Sequence, residues 1–133
     1  MLGQAYDKGF GVGRDESQAV LWYRKAAEQG DAQAQSNLGK MYATGSGVSK
    51  DDVEAAIWYR KAAEQGDSEA QGLLGEAYDL GKGLEQNYEE AVKWYRAGAE
   101  RGNAAAQSNL GKMYATGNGV KRDILAAYMW FSI

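Results

Sequence analysis

Cysteine, histidine and proline are all absent from this chain of 133 residues. Without cysteine or histidine the chain can form no disulfide, no zinc site built on those ligands and no cysteine–histidine nucleophile pair. It also lacks the imidazole group that shuttles protons near neutral pH. Much enzyme chemistry is thereby removed, and we expect a protein with no catalytic residues, no cofactor and no bound metal.

Basic stripes and long apolar runs are also missing. The chain carries 15 Lys and Arg against 18 Asp and Glu, a formal net charge of -3. Because nucleic-acid binding depends on neutralising phosphate, this acidic balance argues against a nucleic-acid partner. No apolar run approaches the roughly 20 residues of a membrane-spanning helix, and no signal peptide is evident at the start. We expect no membrane insertion, and the compartment stays open.

What the chain does contain is a strict repeat. It has four tryptophans, which lie 36 residues apart without a slip in register: Trp22, Trp58, Trp94 and Trp130. Leucine, glycine and tyrosine keep the same period, and two stretches, AQSNLGKMYATG and WYRKAAEQGD, each occur twice. A fixed period of this length is typical of a solenoid, in which stacked units bury a continuous core.

Each repeat has the pattern of two helices. Asp31 is the N-cap of a first helix, helix A, which residues at helical spacing predict as far as Thr44, and Gly45 ends it in a left-handed conformation. Asp51 is the N-cap of the second, helix B, and Gly66 ends that one. The N-caps of helix B recur as Asp15, Asp51, Asn87 and Asp123. We therefore expect an all-α solenoid of antiparallel helix pairs.

Two features of the repeat predict how its helices pack. A glycine inside helix A costs about 1 kcal/mol relative to alanine, yet one stands there in every repeat, as at Gly39. We expect the compensation to be a close approach of helix B through a small residue such as Ala55. Trp58 and Trp94 are expected at contacts between repeats, because one helix pair is too short to bury its own apolar face.

The repeat pattern A-x-A-Q-x-x-L-G-x-x-Y-x-x-G-x-G-V-x-x-D-x-x-x-A-x-x-W-Y-R-K-A-A-E-Q-G-D resembles the Sel-one-like repeat (SLR) family, a relative of the tetratricopeptide repeat. The resemblance covers essentially the whole chain. It implies a tetratricopeptide-like α/α superhelix and a role as a scaffold or adaptor that binds other proteins. One bacterial branch, whose repeats are stapled by a cysteine pair and for which β-lactam binding has been proposed, is not matched here.

The period divides one solenoid domain, residues 1–133, into a partial repeat at 1–30, repeats at 31–66 and 67–102, and a partial repeat at 103–133. The family pattern would begin before Met1 and continue beyond Ile133, so we expect the chain to be a segment of a longer array. The ends then expose apolar residues that lack a neighbour, and self-association through them is expected. These residues are Leu2, Tyr6, Leu125, Trp130, Phe131 and Ile133.

Other chemical interpretations are weaker. Residues 9–13, GFGVG, look like a phosphate-binding loop, but G-x-G recurs in every repeat after a helix, whereas a dinucleotide fingerprint follows a strand. Glu76 and Asp79 are spaced to share a helix face as catalytic acids do. We prefer to interpret them as solvated or partner-binding acids, and too few oxygen ligands converge to predict calcium. The aromatic residues fit a core better than a base-stacking platform.

The resemblance to the tetratricopeptide pattern implies a concave wall formed by helix A, where Gln4, Asp7 and Lys8 lie in the first repeat. We expect a protein or peptide partner to bind along the rest of this wall, named here the groove face. Its residues are Gln33, Ser36, Asn37, Lys40, Thr44, Glu69, Leu73, Glu76, Asp79, Leu80, Ser108, Asn109, Lys112 and Thr116. Lys40 and Lys112 are expected to flank Glu76 in a ladder of alternating charge.

Two alternatives to partner binding in the groove stay open at this point. The chain is either a structural spacer or assembly module of a larger repeat protein, or, by family analogy, it binds or hydrolyses a cell-wall-related ligand. A defined ligand of the groove face would distinguish a scaffold from a structural spacer. The second requires turnover that persists after repurification.

Overall fold

A computed structural model describes residues 15–133, which form seven α-helices and no strand. The helices are α1 (Glu16–Glu28), α2 (Ala32–Thr44), α3 (Asp52–Glu64), α4 (Ser68–Leu80), α5 (Tyr88–Glu100), α6 (Ala104–Thr116) and α7 (Ile124–Phe131). Even-numbered helices are the predicted helix A, and odd-numbered helices are helix B. Each helix packs against the next along the chain, and α4 also contacts α6. The fold is an all-α repeat solenoid, as the period predicts.

Local capping fixes where the helices begin and end. The Asp51 carboxylate accepts a hydrogen bond from the Glu54 amide at 3.1 Å, which satisfies a first-turn donor of α3. The other predicted N-caps of helix B, Asp15, Asn87 and Asp123, do the same. Gly45 ends α2 with φ 74°, in the left-handed region that glycine adopts without strain. These predictions are confirmed.

Helix A and helix B approach each other closely at the glycine inside helix A. A Cβ atom on Gly39 would lie 2.6 Å from the ring of Tyr59 and 3.2 Å from the carbonyl oxygen of Ala55. The predicted close approach is therefore present. However, the group that approaches Gly39 is an aromatic ring together with the alanine backbone, and not a small side chain as expected. The ring contact recurs in the next repeats, with Tyr95 against Gly75 and Phe131 against Gly111.

The core consists of three clusters, and tryptophan side chains link them. Trp58 of α3 packs with Leu38 and with residues of α1, so it contacts the preceding repeat. Trp94 of α5 packs in the same way on the cluster around Leu74. Both tryptophans therefore lie between repeats, as predicted. Trp130, which we expected to lack a neighbour, is half-buried against the third cluster.

Two further contacts join α1, α3 and α5 to the repeat that follows each of them. Arg24, Arg60 and Arg96 each donate a hydrogen bond to a tyrosine hydroxyl of the following helix A, on Tyr42, Tyr78 and Tyr114 respectively. The second glycine of the following G-x-G loop lies against the first turn of the same helix B. At Gly83, an added Cβ would be 2.1 Å from the Asp52 carbonyl oxygen.

Within residues 15–133, exposed large apolar side chains are most numerous on α7 and just after it. The exposed residues there are Ile124, Leu125, Tyr128, Met129, Phe131 and Ile133. None of the helices between residues 15 and 133 combines the length and the apolar content that crossing a bilayer requires.

Candidate functional site

The groove-face residues lie on α2, α4 and α6, one helix per repeat. Ser36 is buried. Six are half-buried, namely Asn37, Lys40, Leu73, Glu76, Asp79 and Asn109. Seven are exposed, namely Gln33, Thr44, Glu69, Leu80, Ser108, Lys112 and Thr116. The predictions for Leu2, Gln4, Tyr6, Asp7, Lys8 and the loop at 9–13 fall outside the described residues.

An ion pair connects the groove face of two repeats. Lys40 Nζ on α2 lies 2.9 Å from Glu69 Oε2 on α4, and the buried Ser36 hydroxyl lies 3.5 Å from the other oxygen of that carboxylate. The first turn of α4 therefore lies beside the second half of α2. This pair is partly exposed, so its contribution to stability is small.

The expected ladder of Lys40, Glu76 and Lys112 does not form as ion pairs. Lys40 pairs with Glu69 because the first turn of α4 lies beside it. The lysine nearest Glu76 is Lys82, with 3.9 Å between Nζ and Oε1. Lys112 makes no ion pair within residues 15–133 and is exposed.

Glu76 and Asp79 are held by different groups. The Tyr95 hydroxyl donates a hydrogen bond to Asp79 Oδ2 at 2.9 Å, whereas Glu76 faces Lys82. Burial raises the pKa of Tyr95, and the hydrogen bond to the Asp79 carboxylate raises it further. Asp79 therefore anchors helix B to helix A. No group of three or more acidic side chains in the described part of the chain is arranged to hold a metal ion.

Other groove-face residues line small clefts between helices. Glu69, Leu73 and Glu76 of α4 share a cleft with Asn109 of α6. Asn37, Lys40 and Thr44 of α2 share a second cleft with Tyr23 of α1. Thr44 and its equivalent Thr116 donate their hydroxyls to carbonyl oxygens of their own helices at 2.9 Å, so these two side chains are engaged locally.

One cleft was missed by sequence reasoning, which considered helix A alone. It lies between α2, α3 and α4, and its lining includes Ala43, Lys50, Asp52, Tyr59, Glu76 and Lys82. Lys50 Nζ is 3.0 Å from Asp52 Oδ2, and Lys82 faces Glu76. A signal was available, because loop residue Lys82 stands where the neighbouring repeats have Ser46 and Asn118.

The fold and the repeated helix pairs define an α/α solenoid of the SLR class. The family profile for the Sel1 repeat matches four segments: residues 1–31, 32–67, 68–103 and 104–133. The chain belongs to the Sel1 repeat family. Proteins of this family are in general protein-interaction scaffolds and are typically not enzymes.

Three solved structures are similar. A protective antigen of uropathogenic Escherichia coli with an SLR fold is 45% identical, with a TM-score of 0.96 over 98% of this chain and 28% of the antigen. A Sel1 repeat protein from Oxalobacter formigenes is 47% identical, with a TM-score of 0.91 over 98% of this chain and 54% of that protein. Helicobacter pylori cysteine rich protein B shares the fold at 21% identity. The alignment has a TM-score of 0.68 and covers 93% of this chain and 89% of that protein.

The chain thus spans less than two thirds of the length of the first two structures. No curated protein matches the sequence significantly.

Proposed function

We propose that the chain is a non-enzymatic interaction scaffold that binds a peptide or protein segment along its groove face. The observation that carries the proposal is the contrast between framework and groove face. Leu38, Leu74 and Leu110 are fully buried at one phase of the repeat. Two residues further along helix A, the second and fourth repeats carry Lys40 and Lys112, whereas the third carries Glu76. The buried side chains are therefore retained in all three repeats, while the outward-facing side chains of the third repeat differ.

The arrangement of these side chains supports a partner that contacts more than one repeat. The Lys40–Glu69 pair bridges α2 and α4, and the cleft of Glu69, Leu73, Glu76 and Asn109 bridges α4 and α6. A chain segment lying across the helices meets charged, amide and apolar groups in turn. Solenoids use such extended surfaces for binding.

The chemistry of the third repeat supports one class of ligand. Glu69 and Glu76 favour basic side chains near the middle of the peptide, and Leu73 offers an apolar contact. Lys40 or Lys112 meets an acidic group towards either end. Because these groups are partly exposed, affinity is modest and decreases with added salt.

A peptide-library selection tests this proposal. The parent and Glu76→Lys are compared at low and high salt, with Glu64→Lys as control, since it makes the same charge change at an exposed position on helix B. We expect Glu76→Lys to lose the selection for basic peptides and Glu64→Lys to retain it. Equal selections from the parent and Glu76→Lys would exclude the groove face as the binding surface.

A second candidate role is that of a spacer or assembly module in a larger repeat protein. It is supported by the exposed apolar surface of α7 and by the greater length of the two most similar structures named above. A pull-down with the chain and with a variant in which Lys40, Glu76 and Lys112 are changed to Gln separates the roles. A partner lost by the variant supports the scaffold, and one retained supports the spacer.

A further inference from the structure

The hydroxyl of Tyr59 lacks the partner that the equivalent tyrosine of the next repeat has. Tyr95 donates to Asp79, but the residue at that phase beside Tyr59 is Ala43. In the last repeat the pair is Phe131 and Ala115, so both polar groups are missing together. Between residues 15 and 133, only the Tyr59 pair keeps the hydroxyl without the carboxylate.

The Tyr59 hydroxyl is available as a hydrogen-bond donor. The residue is 6% exposed, and its hydroxyl makes no hydrogen bond to any of residues 15–133. Its ring lies on Gly39 as the Tyr95 ring lies on Gly75, so the hydroxyl is directed towards Ala43. Burial, and then the charges of Glu76 and Asp52, raise the pKa of Tyr59, which keeps the hydroxyl protonated. The hydroxyl oxygen is nevertheless not closed off from solvent, so a ligand that enters from the neighbouring cleft can reach it.

The space beside this hydroxyl is a cleft of about 140 Å³, named here the Tyr59 site, which Ala43, Lys50, Tyr59 and Lys82 help to line. An apolar cavity of about 150 Å³ accommodates a benzene molecule, so a carboxylate with its adjoining methylene fits this volume. The Lys50 and Lys82 side chains are more than half exposed, and Lys82 is only loosely paired with Glu76 at 3.9 Å. Lys50 Nζ bonds both carboxylate oxygens of Asp52, at 3.1 and 3.0 Å, which leaves one of its three N–H donors for a ligand. Lys82 retains more of its donors.

We infer that the Tyr59 site binds a carboxylate supplied by a partner, in the place that Asp79 occupies beside Tyr95. One carboxylate oxygen accepts from the Tyr59 hydroxyl, and the other faces Lys50 and Lys82, which offset the charges of Asp52 and Glu76. Leu73 and Glu76 line both this site and the groove face. The inference rests on the proposed function, because the carboxylate is taken to belong to a peptide bound there.

Small probes test the site without requiring the groove. Amide signals of Ala43, Lys50 and Lys82 are followed by NMR during titration of the whole chain. N-acetylglycine presents a chain-terminal carboxylate and N-acetylglutamic acid α-amide a side-chain carboxylate, with the matching neutral amides as controls. We expect saturable shifts from the carboxylates only, and the tighter probe identifies the source. Equal shifts from the neutral amides, or shifts from the cationic probe glycinamide alone, overturn the inference.

Two substitutions locate the binding. Tyr59→Phe keeps the ring on Gly39 but removes the donor, and we expect about tenfold weaker binding because the hydrogen bond to a carboxylate is charge-assisted. Ala43→Asp supplies a carboxylate from within the chain, so binding should be lost. Ala115→Asp is the control, since it faces Phe131 and leaves the site intact. Parent-like binding by either Tyr59→Phe or Ala43→Asp refutes the site.

Peptides from the library selection separate this inference from the proposed function. Each peptide is made with a free and with an amidated carboxyl end, and with Glu replaced by Gln. If these forms bind equally and Glu76→Lys still alters selection, the carboxylate site is wrong and the groove function stands. If the small carboxylates bind but no peptide is selected, the groove function is wrong and the site stands.

Discussion

Single side chains between repeats carry much of the stability, and Trp58 is the clearest case. It is buried in a cluster with residues of α1 and α2. We expect Trp58→Ala to lower the free energy of unfolding by about 3–5 kcal/mol, as truncation of a large aromatic residue in a core does. Urea unfolding measures the loss, and Ile57→Ala, an exposed position next to it, is the control. Thermal unfolding of Trp58→Ala within a degree or two of the parent would contradict the placement of Trp58 between repeats.

Tyr95 makes stability depend on pH at the alkaline end. Its pKa is raised in the folded chain above the value of about 10 in the unfolded chain. Its contribution is therefore complete below about pH 10 and is lost as the pH rises further, because the unfolded chain releases the proton first. We expect Tyr95→Phe to be less stable at pH 8, since the bond to Asp79 is lost, but to lose less stability than the parent above pH 10.

The measurement is the free energy of unfolding from pH 8 to 11. Tyr128→Phe is the control, because Tyr128 is largely exposed. Parallel curves for the parent and Tyr95→Phe above pH 10 would show that Tyr95 does not titrate differently in the folded chain.

At the scale of the helix and its loops, glycines with positive φ have two separable roles. Gly83 (φ 73°) needs the left-handed conformation and also lies against the Asp52 carbonyl oxygen, whereas Gly102 (φ 91°) has no atom within 4 Å of an added Cβ. Both Gly83→Ala and Gly102→Ala should incur the backbone cost of about 1–2 kcal/mol. Gly83→Ala should cost more, since the first turn of α3 must shift.

Thermal unfolding measures both losses, and amide exchange in the first turn of α3 shows whether that turn has opened. Equal losses in the two variants would mean that the contact between Gly83 and Asp52 carries no energy.

The helices could be predicted from the sequence because their signals are local. Asp51 and Gly45 act within a few residues of their positions, and the period aligns all repeats at once. The partner of Lys40 could not be predicted, because it depends on how far α4 is displaced along α2. The sequence shows that Ala43 stands where the next repeat has Asp79. That this leaves the Tyr59 hydroxyl without a partner follows only from the structure, in which the Tyr59 ring is directed at Ala43.

At the scale of the whole molecule, the apolar surface of α7 predicts self-association of this polypeptide. Leu125 is 83% exposed and Ile133 is also exposed, while Trp130 is half-buried against the third core cluster. We expect sedimentation to show concentration-dependent association that Leu125→Glu weakens. Val53→Glu is the matched control, because Val53 occupies the same phase on α3. A strict monomer at high concentration would contradict the prediction.

The equivalence of the junctions between repeats has a genetic consequence. Arg24 meets Tyr42 as Arg96 meets Tyr114, and WYRKAAEQGD at one junction is identical to that at the next. Unequal crossing-over between such coding segments removes or adds a whole unit in frame, and each new junction finds a complementary surface. Array length can then vary among descendants without loss of folding, while each event reorders the side chains presented to partners.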